Sequence, residues 1–385
     1  MLIAHLSDLH LGRKSNGDPQ GAIRLNSLRR AIVDKLPQAG PEAIVIAGDM
    51  FDSSQVERGV VQEAARVLDK ARNKDDRPVP VVVISGNHDP SEAETLWATF
   101  REVLGPDTLV QVVLTQQVIE LLRGELRIEA YPCPTRYSPE RPWEHRLPPK
   151  GGAGVTVVLA HGTLLGGPVP EDEQEAYPFT EADAAGLGVE YVALGHFHGV
   201  YPPWGAASEI ERGYCYCGTH EPDQFSGDAG WAILASLRKG KPALLKRLRL
   251  AERLWQEFEI LGPADIGKLK ALRQQVEADS DPQRFVVRVK VGAKTRLAPE
   301  EAAQLDEIKA ALTALGVCLQ QHGEFATYIN VEALDLQSLP GGAVKHALLA
   351  LQGELNGCAD PARRELLSAA LQIGWQLCKE EGARR

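Results

Sequence analysis

Five short segments of this chain carry side chains able to hold metal ions, and each follows an apolar run. They are Ser7-Asp8-Leu9-His10, Gly48-Asp49-Met50-Phe51-Asp52, Ser85-Gly86-Asn87-His88-Asp89, Ala160-His161-Gly162 and Gly195-His196-Phe197-His198. Taken singly, each has an ordinary explanation. Asp8 could cap a turn, Asp52 with Ser53 and Ser54 could start a helix, Asn87 suits any turn, and His161 could be a hydrogen-bonded strand-end histidine. Their joint occurrence, always where a strand should end, points instead to side chains converging at one sheet edge. In three of the five a glycine directly precedes the polar residues, as a sharp bend and close approach require. Imidazoles, carboxylates and an amide together suit Mn²⁺, Fe²⁺ or Zn²⁺, whereas a Mg²⁺ site is nearly all oxygen. The implied device is a dinuclear metal centre. His196 and His198 would share a face if their strand ran on through them, and a bend would separate them.

The elements that must position these residues are legible as short apolar runs alternating with helical stretches. Strands are predicted at Leu2–Leu6, Ala43–Ala47, Val81–Ile84, Leu109–Val113, Gln117–Leu122, Leu126–Ala130, Val155–Ala160, Glu190–Leu194, Gly213–Cys217, Trp231–Ser236 and Ala243–Leu250. Helices are predicted at Gly21–Leu36 and Val60–Ala71. Runs that are apolar throughout fit strands covered on both faces. The fold class expected is therefore α/β, with two stacked mixed β-sheets flanked by helices. From about residue 262 a small α+β module is predicted: a helix at Ile266–Val276, strands at Arg284–Val291, Gly316–Gln321 and Tyr328–Val331, and a helix at Pro299–Leu315. After the break at Leu339-Pro340-Gly341-Gly342 come two amphipathic helices, Val344–Leu355 and Pro361–Lys379. The domains expected are 1–260 (core), 261–338 (α+β cap) and 339–385 (C-terminal helices).

The ordered five-part signature resembles the calcineurin-like metallophosphoesterase superfamily. By that resemblance Asp8, His10, Asp49 and His198 would hold one metal, and Asp49, Asn87, His161 and His196 the other, with Asp49 bridging. Two divalent ions about 3.5–4 Å apart activate water and clamp phosphoryl oxygens. Manganese is the choice the resemblance favours. The catalytic pair it implies is His88, which would protonate the leaving oxygen, and Asp52, whose carboxylate would orient that imidazole and raise its pKa. Asp89 reads as a turn former.

Within the superfamily the chain is most similar to SbcD-type DNA repair exonucleases, the nuclease subunits of complexes with an SMC-like coiled-coil ATPase. The likeness rests on Ser7-Asp8-Leu9-His10-Leu11-Gly12, on Ser85-Gly86-Asn87-His88-Asp89, and on Tyr216-Cys217-Gly218-Thr219-His220-Glu221 followed by Phe225. The order of core, cap and terminal helices agrees. Phosphoprotein phosphatases usually continue the second segment with Arg-Gly and end the third with Glu, whereas here Ser53-Ser54 and Asp89 stand in those places. The resemblance implies a DNA exonuclease, with endonuclease activity also open, acting in DNA repair. A phosphodiesterase for a small nucleotide or other small phosphodiester keeps the same metals. A non-catalytic scaffold would be expected to have lost ligands, and the full set is present.

Composition bounds these readings. The 385 residues are 44% hydrophobic and 24% charged, enough for two or three domains with buried cores. With 42 Lys+Arg against 52 Asp+Glu, the net charge of −10 cannot hold DNA by itself. A local patch would be needed. The basic residues between positions 238 and 253 supply a candidate, with Lys239, Lys241, Lys246, Arg247 and Arg249 as DNA-contacting residues, or alternatively a solvated edge strand. Leu367, Leu371 and Trp375 share a helix face, available for packing within the chain, for the ATPase, or for a second copy in a homodimer. The opening residues lack the basic region of a secretory signal, and no apolar run approaches the ~20 residues of a membrane span. A cytoplasmic protein with reduced thiols and no membrane partner is expected. Cys215-Tyr216-Cys217 has the wrong spacing for a zinc knuckle and reads as two buried thiols in a strand.

Overall fold

The computed structural model describes residues 1–14, 21–146, 154–169, 176–205, 207–225, 227–292, 295–323, 326–327, 336–339 and 342–383. The chain divides into two units, Met1–Trp255 and Gln256–Arg385.

In chain order the first unit contains β1 (Leu2–Leu6), α1 (Ala22–Arg30), α2 (Leu36–Ala39), β2 (Ala43–Ala47), α3 (Arg58–Leu68), β3 (Val81–Ile84), α4 (Glu94–Arg101), β4 (Val110–Val113), β5 (Gln117–Leu121), β6 (Leu126–Tyr131), β7 (Val155–His161), α5 (Glu181–Ala185), β8 (Tyr191–Gly195), β9 (Glu209–Arg212), β10 (Tyr214–Tyr216), β11 (Trp231–Arg238) and β12 (Lys241–Arg249). A π-helical turn, Ala31–Lys35, joins α1 to α2. Seven strands form one sheet in the order β4-β3-β2-β1-β11-β12-β9, and five form a second, β10-β8-β7-β6-β5. In the first sheet β1 to β4 are parallel, while β11, β12 and β9 pair antiparallel. In the second, β5 alone runs against its neighbour. Both sheets are mixed, and helices flank them.

Strict alternation along the parallel strands assigns their side chains to two cores. Ile3, Val45 and Val82 meet Ile128, Leu159 and Ala193 in the apolar layer between the sheets. Ala4, Ile44 and Val83 turn the other way, onto Leu28, Val61 and Trp97 of the helices. A third cluster, including Trp143 and Phe179, covers the outer face of the second sheet. Because both faces are buried, all five residues of β2 are buried, which explains its uninterrupted apolar sequence.

Two histidines are buried in this framework away from the five segments. His5 on β1 lies with Nδ1 2.9 Å from the Tyr191 hydroxyl, and His220 with Nε2 2.8 Å from the Arg24 carbonyl. Burial pushes each down to about 3, so both are neutral in the folded protein. Above pH 6.5 they are neutral in the unfolded chain too and contribute no pH dependence. Below it the unfolded chain takes up protons that the folded one refuses, so stability falls as pH drops, by about 1.4 kcal/mol per unit per histidine. Between pH 7 and pH 5 the pair should cost about 4 kcal/mol, and His220→Gln should remove about half of that. Urea midpoints at the two pH values test this, and an equal pH response in wild type and variant would refute it.

β13 (Leu254–Ile260) begins two residues before the boundary, and the second unit goes on with α6 (Pro263–Glu277), β14 (Phe285–Val291), β15 (Arg296–Leu297), α7 (Pro299–Ala314), β16 (Cys318–His322), β17 (Ala326–Thr327), α8 (Ala343–Gly357) and α9 (Pro361–Ala383). β13, β14 and β16 form a three-stranded sheet. The predicted strand at Tyr328–Val331 falls outside the described residues. Leu348 and Leu355 of α8 pack with Leu367 and Leu371 of α9, and Trp375 joins them, so the face read from the sequence is used within this hairpin. Leu366, Ile373 and Leu377 remain exposed. Among the described residues no helix is long and apolar enough to cross a membrane.

Candidate metal centre

All five segments leave the C-terminal ends of parallel strands, β1, β2 and β3 from one sheet and β7 and β8 from the other. The loops after β1 and β2 stay tied together: the Asp8, His10 and Leu11 amides donate to the carbonyls of Gly48, Asp49 and Met50 at 3.0–3.1 Å. Asp8, His10, Asp49 and His196 all have positive φ, between 44° and 114°, which turns the chain sharply enough to aim successive side chains inward. His196 therefore does not continue β8, and it and His198 reach different partners. Two glycines make room. A Cβ on Gly86 would stand 2.2 Å from Asp49 Oδ1, and one on Gly195 would stand 1.9 Å from the Ala47 carbonyl oxygen and 2.8 Å from His161 Nδ1.

The seven predicted ligands come together. Asp8, His10 and His198 offer atoms within 4.8 Å of one another, as do Asp8, Asp49 and His161. Asp49 Oδ2 lies 3.7 Å from His10 Nε2 and 3.5 Å from His161 Nε2. Asn87 Oδ1 lies 2.8 Å from His161 Nε2 and 3.2 Å from His196 Nδ1. The Asp8 carboxylate accepts the Ser7 hydroxyl at 2.5 Å and the His196 amide at 3.0 Å.

Hydrogen-bond logic tests whether a metal fits. His161 Nδ1 faces the Ala47 carbonyl at 2.8 Å and must carry the proton, leaving a lone pair on Nε2. That lone pair confronts the carbonyl oxygen of Asn87, an acceptor. His198 Nδ1 donates to Asp223 Oδ2 at 2.7 Å, and its Nε2 lies 3.0 Å from His10 Nε2, a gap that holds at most one proton between two ring nitrogens. His196 Nε2 is buried with no hydrogen-bond partner among the described residues. Acceptors brought face to face in a buried site call for cations between them. The residues present fit divalent metals.

Electrostatics set the imidazoles apart: burial opposes protonation of His198, but the hydrogen bond and charge of Asp223 outweigh it and its pKa is raised. Burial, reinforced by His161, pushes His196 down to about 3. Burial and the neighbouring His198 hold His10 well below the usual histidine range. Burial opposes ionisation of Asp49, but the adjacent His161 and His88 outweigh it and its pKa is lowered. Burial raises Asp8.

His88 Nδ1 donates to the main-chain carbonyl of Asp52 at 2.9 Å, and its amide donates to Asp49 Oδ1 at 2.8 Å. The expected carboxylate–imidazole pair is thus replaced by a carbonyl–imidazole pair. The Asp52 carboxylate turns instead to His10 Nδ1, 3.2 Å away, because the residue sits where the second loop runs beside the first. Asp89 is fully buried and accepts from the Gly86 and Phe51 amides at 2.7 and 2.9 Å, bracing two site turns. Burial and the nearby Asp49 raise its pKa well above the carboxylate range.

The five basic residues singled out for DNA are not brought together. Lys239 lies in the turn after β11 and Lys241 opens β12, beside the start of β1, whereas Arg249 pairs with Trp231 near its site end. Eight strand steps separate Lys241 from Arg249, roughly 26 Å. Lys246 points to the opposite face from Arg247 and Arg249, whose guanidinium groups stack on Trp231 at 4.8 and 4.9 Å. What the sequence reading missed is Asp223, with Arg13 and Arg24 around it. Asp223 lies within the Tyr216–Phe225 stretch already noted, but its contact with His198 reaches across 25 residues, past β9 and β10, and leaves no periodic signal.

Comparison with known proteins accords with this geometry. Residues 1–200 match the model of the calcineurin-like phosphoesterase family. A DNA double-strand break repair protein Mre11 from Archaeoglobus fulgidus is 30% identical over 105 residues, 27% of this chain and 23% of that protein. The SbcD component of the nuclease SbcCD from Staphylococcus saprophyticus is 34% identical over 96 residues, 24% of each chain. The chain thus aligns with about a quarter of either relative's length. A family match over more than half of the chain, joined to a metal-ligand cluster at the strand ends, makes this protein a member of the calcineurin-like phosphoesterase family.

Proposed function

We propose that this phosphoesterase is a DNA nuclease that hydrolyses phosphodiester bonds as an exonuclease, with two Mn²⁺ ions in the ligand set above. The observation that carries the chemistry is the facing of buried acceptor atoms around Asp49. DNA as substrate is supported by relatives named as a nuclease component and as a DNA double-strand break repair protein. By the same resemblance it acts in DNA repair, in the cytoplasm, beside an SMC-like coiled-coil ATPase, within a 1–260 nuclease core carrying a 261–338 cap and 339–385 helices.

Bound there, divalent ions activate water and neutralise phosphoryl oxygens. The chain's own residues do the rest. With Nδ1–H committed to the Asp52 carbonyl, His88 can gain or lose a proton only at Nε2, which makes that atom the acid for the leaving oxygen. The bond from the His88 amide to Asp49 fixes the acid relative to the central carboxylate. A small phosphodiester as substrate is the second reading, favoured by the dispersal of the basic residues over β12.

The deciding assay is Mn²⁺-dependent digestion of linear duplex and single-stranded DNA beside bis-p-nitrophenyl phosphate, with EDTA as control. DNA cleavage that EDTA abolishes is the expected result. Turnover of the small ester alone would overturn the DNA assignment and favour the second reading.

A further inference from the structure

The contact that the sequence concealed defines a role. Asp223 is nearly buried, and its Oδ2 lies 2.7 Å from His198 Nδ1, 2.7 Å from Arg13 Nη1 and 3.7 Å from Arg24 Nη2. Across the cluster, Asp52 Oδ1 lies 3.2 Å from His10 Nδ1 and 4.0 Å from Arg13 Nε. Arg13 thus pairs closely with Asp223 and only distantly with Asp52, while the two imidazoles turn their Nε2 atoms toward each other at 3.0 Å.

We propose that Asp223 is a positioning residue for His198. By accepting the Nδ1 proton it fixes the tautomer and the ring plane, so that Nε2 presents a lone pair to a metal shared with His10 and Asp8. Arg13 holds Asp223 from one side at 2.7 Å, and Arg24, itself anchored on the Leu9 carbonyl at 3.0 Å, holds the carboxylate from behind. A purely structural Asp223, serving as counter-ion to Arg13 and Arg24, would stabilise the fold and leave metal affinity alone. The inference rests on the metal-centre reading.

The test uses the full chain stripped of metal. Calorimetric titration with Mn²⁺ should show two ions bound by the wild type, and Asp223→Asn should bind one of them about 10–100-fold more weakly, the usual effect of losing an outer-shell partner. With Zn²⁺ as a diamagnetic probe and ¹⁵N-labelled histidine, the His198 signal should report Nδ1 protonated and Nε2 ligating in the wild type. That spectrum decides the matter even where the variant does not fold, since ligation through Nδ1 would overturn the proposal. Unchanged affinities in a folded Asp223→Asn protein with a lowered melting temperature would overturn it as well, in favour of the structural role. Failure of the wild type to take up either metal would overturn the metal-centre reading itself and this inference with it.

Discussion

Replacing His88 by Gln is expected to slow DNA hydrolysis by about 10²–10⁴-fold while two metal ions per chain stay bound. The reason is chemical. The alkoxide expelled from a DNA phosphodiester is strongly basic, so bond cleavage without a proton donor leaves a poor leaving group uncompensated. p-Nitrophenolate is a weak base and needs little protonation, so the same variant should lose much less activity on bis-p-nitrophenyl phosphate. That split separates loss of an acid from collapse of the site. Elemental analysis supplies the other half: metal lost along with activity would show His88 to be a ligand and would sink its role as acid.

Asp49→Asn should remove metal and activity together. The Oδ2 atom lies between His10 and His161, and Oδ1 holds the His88 amide, so the neutral amide weakens the link between two ligand groups at once. Asparagine tolerates the left-handed backbone at this position, φ 49°, so the fold should survive. Metal affinity should fall by more than about 100-fold, beyond the range for outer-shell partners, and DNA cleavage to background. Persistent Mn²⁺-dependent cleavage would refute a bridging Asp49.

Much of this site was legible because buried parallel strands are apolar without interruption and end in glycine-polar turns. Ala43–Ala47 followed by Gly48-Asp49 announces both a strand and what it delivers. The signal failed where contacts depend on loops or on register. Asp52 could be placed near His88 but not oriented, and its carbonyl, an atom every residue possesses, makes the bond. The basic residues of β12 looked like one stripe in sequence, yet alternation sends Lys246 to one face and Arg247 to the other. β9 (Glu209–Arg212) went unrecognised because a polar edge strand lacks the apolar run that marks an interior one. Helix α4 was missed as well, though Leu96, Trp97 and Phe100 bury one side of it.

The positive φ angles at Asp8, His10, Asp49 and His196 bear on how such a protein evolves. Each non-glycine residue held there costs about 1 kcal/mol or more, so the ligand loops are kept at the expense of the fold. Glycine at any of these positions would relax the backbone and remove a side chain from the candidate site. Any stability gained by such a change would come out of the candidate site, the trade-off expected where strained loops carry a site's side chains.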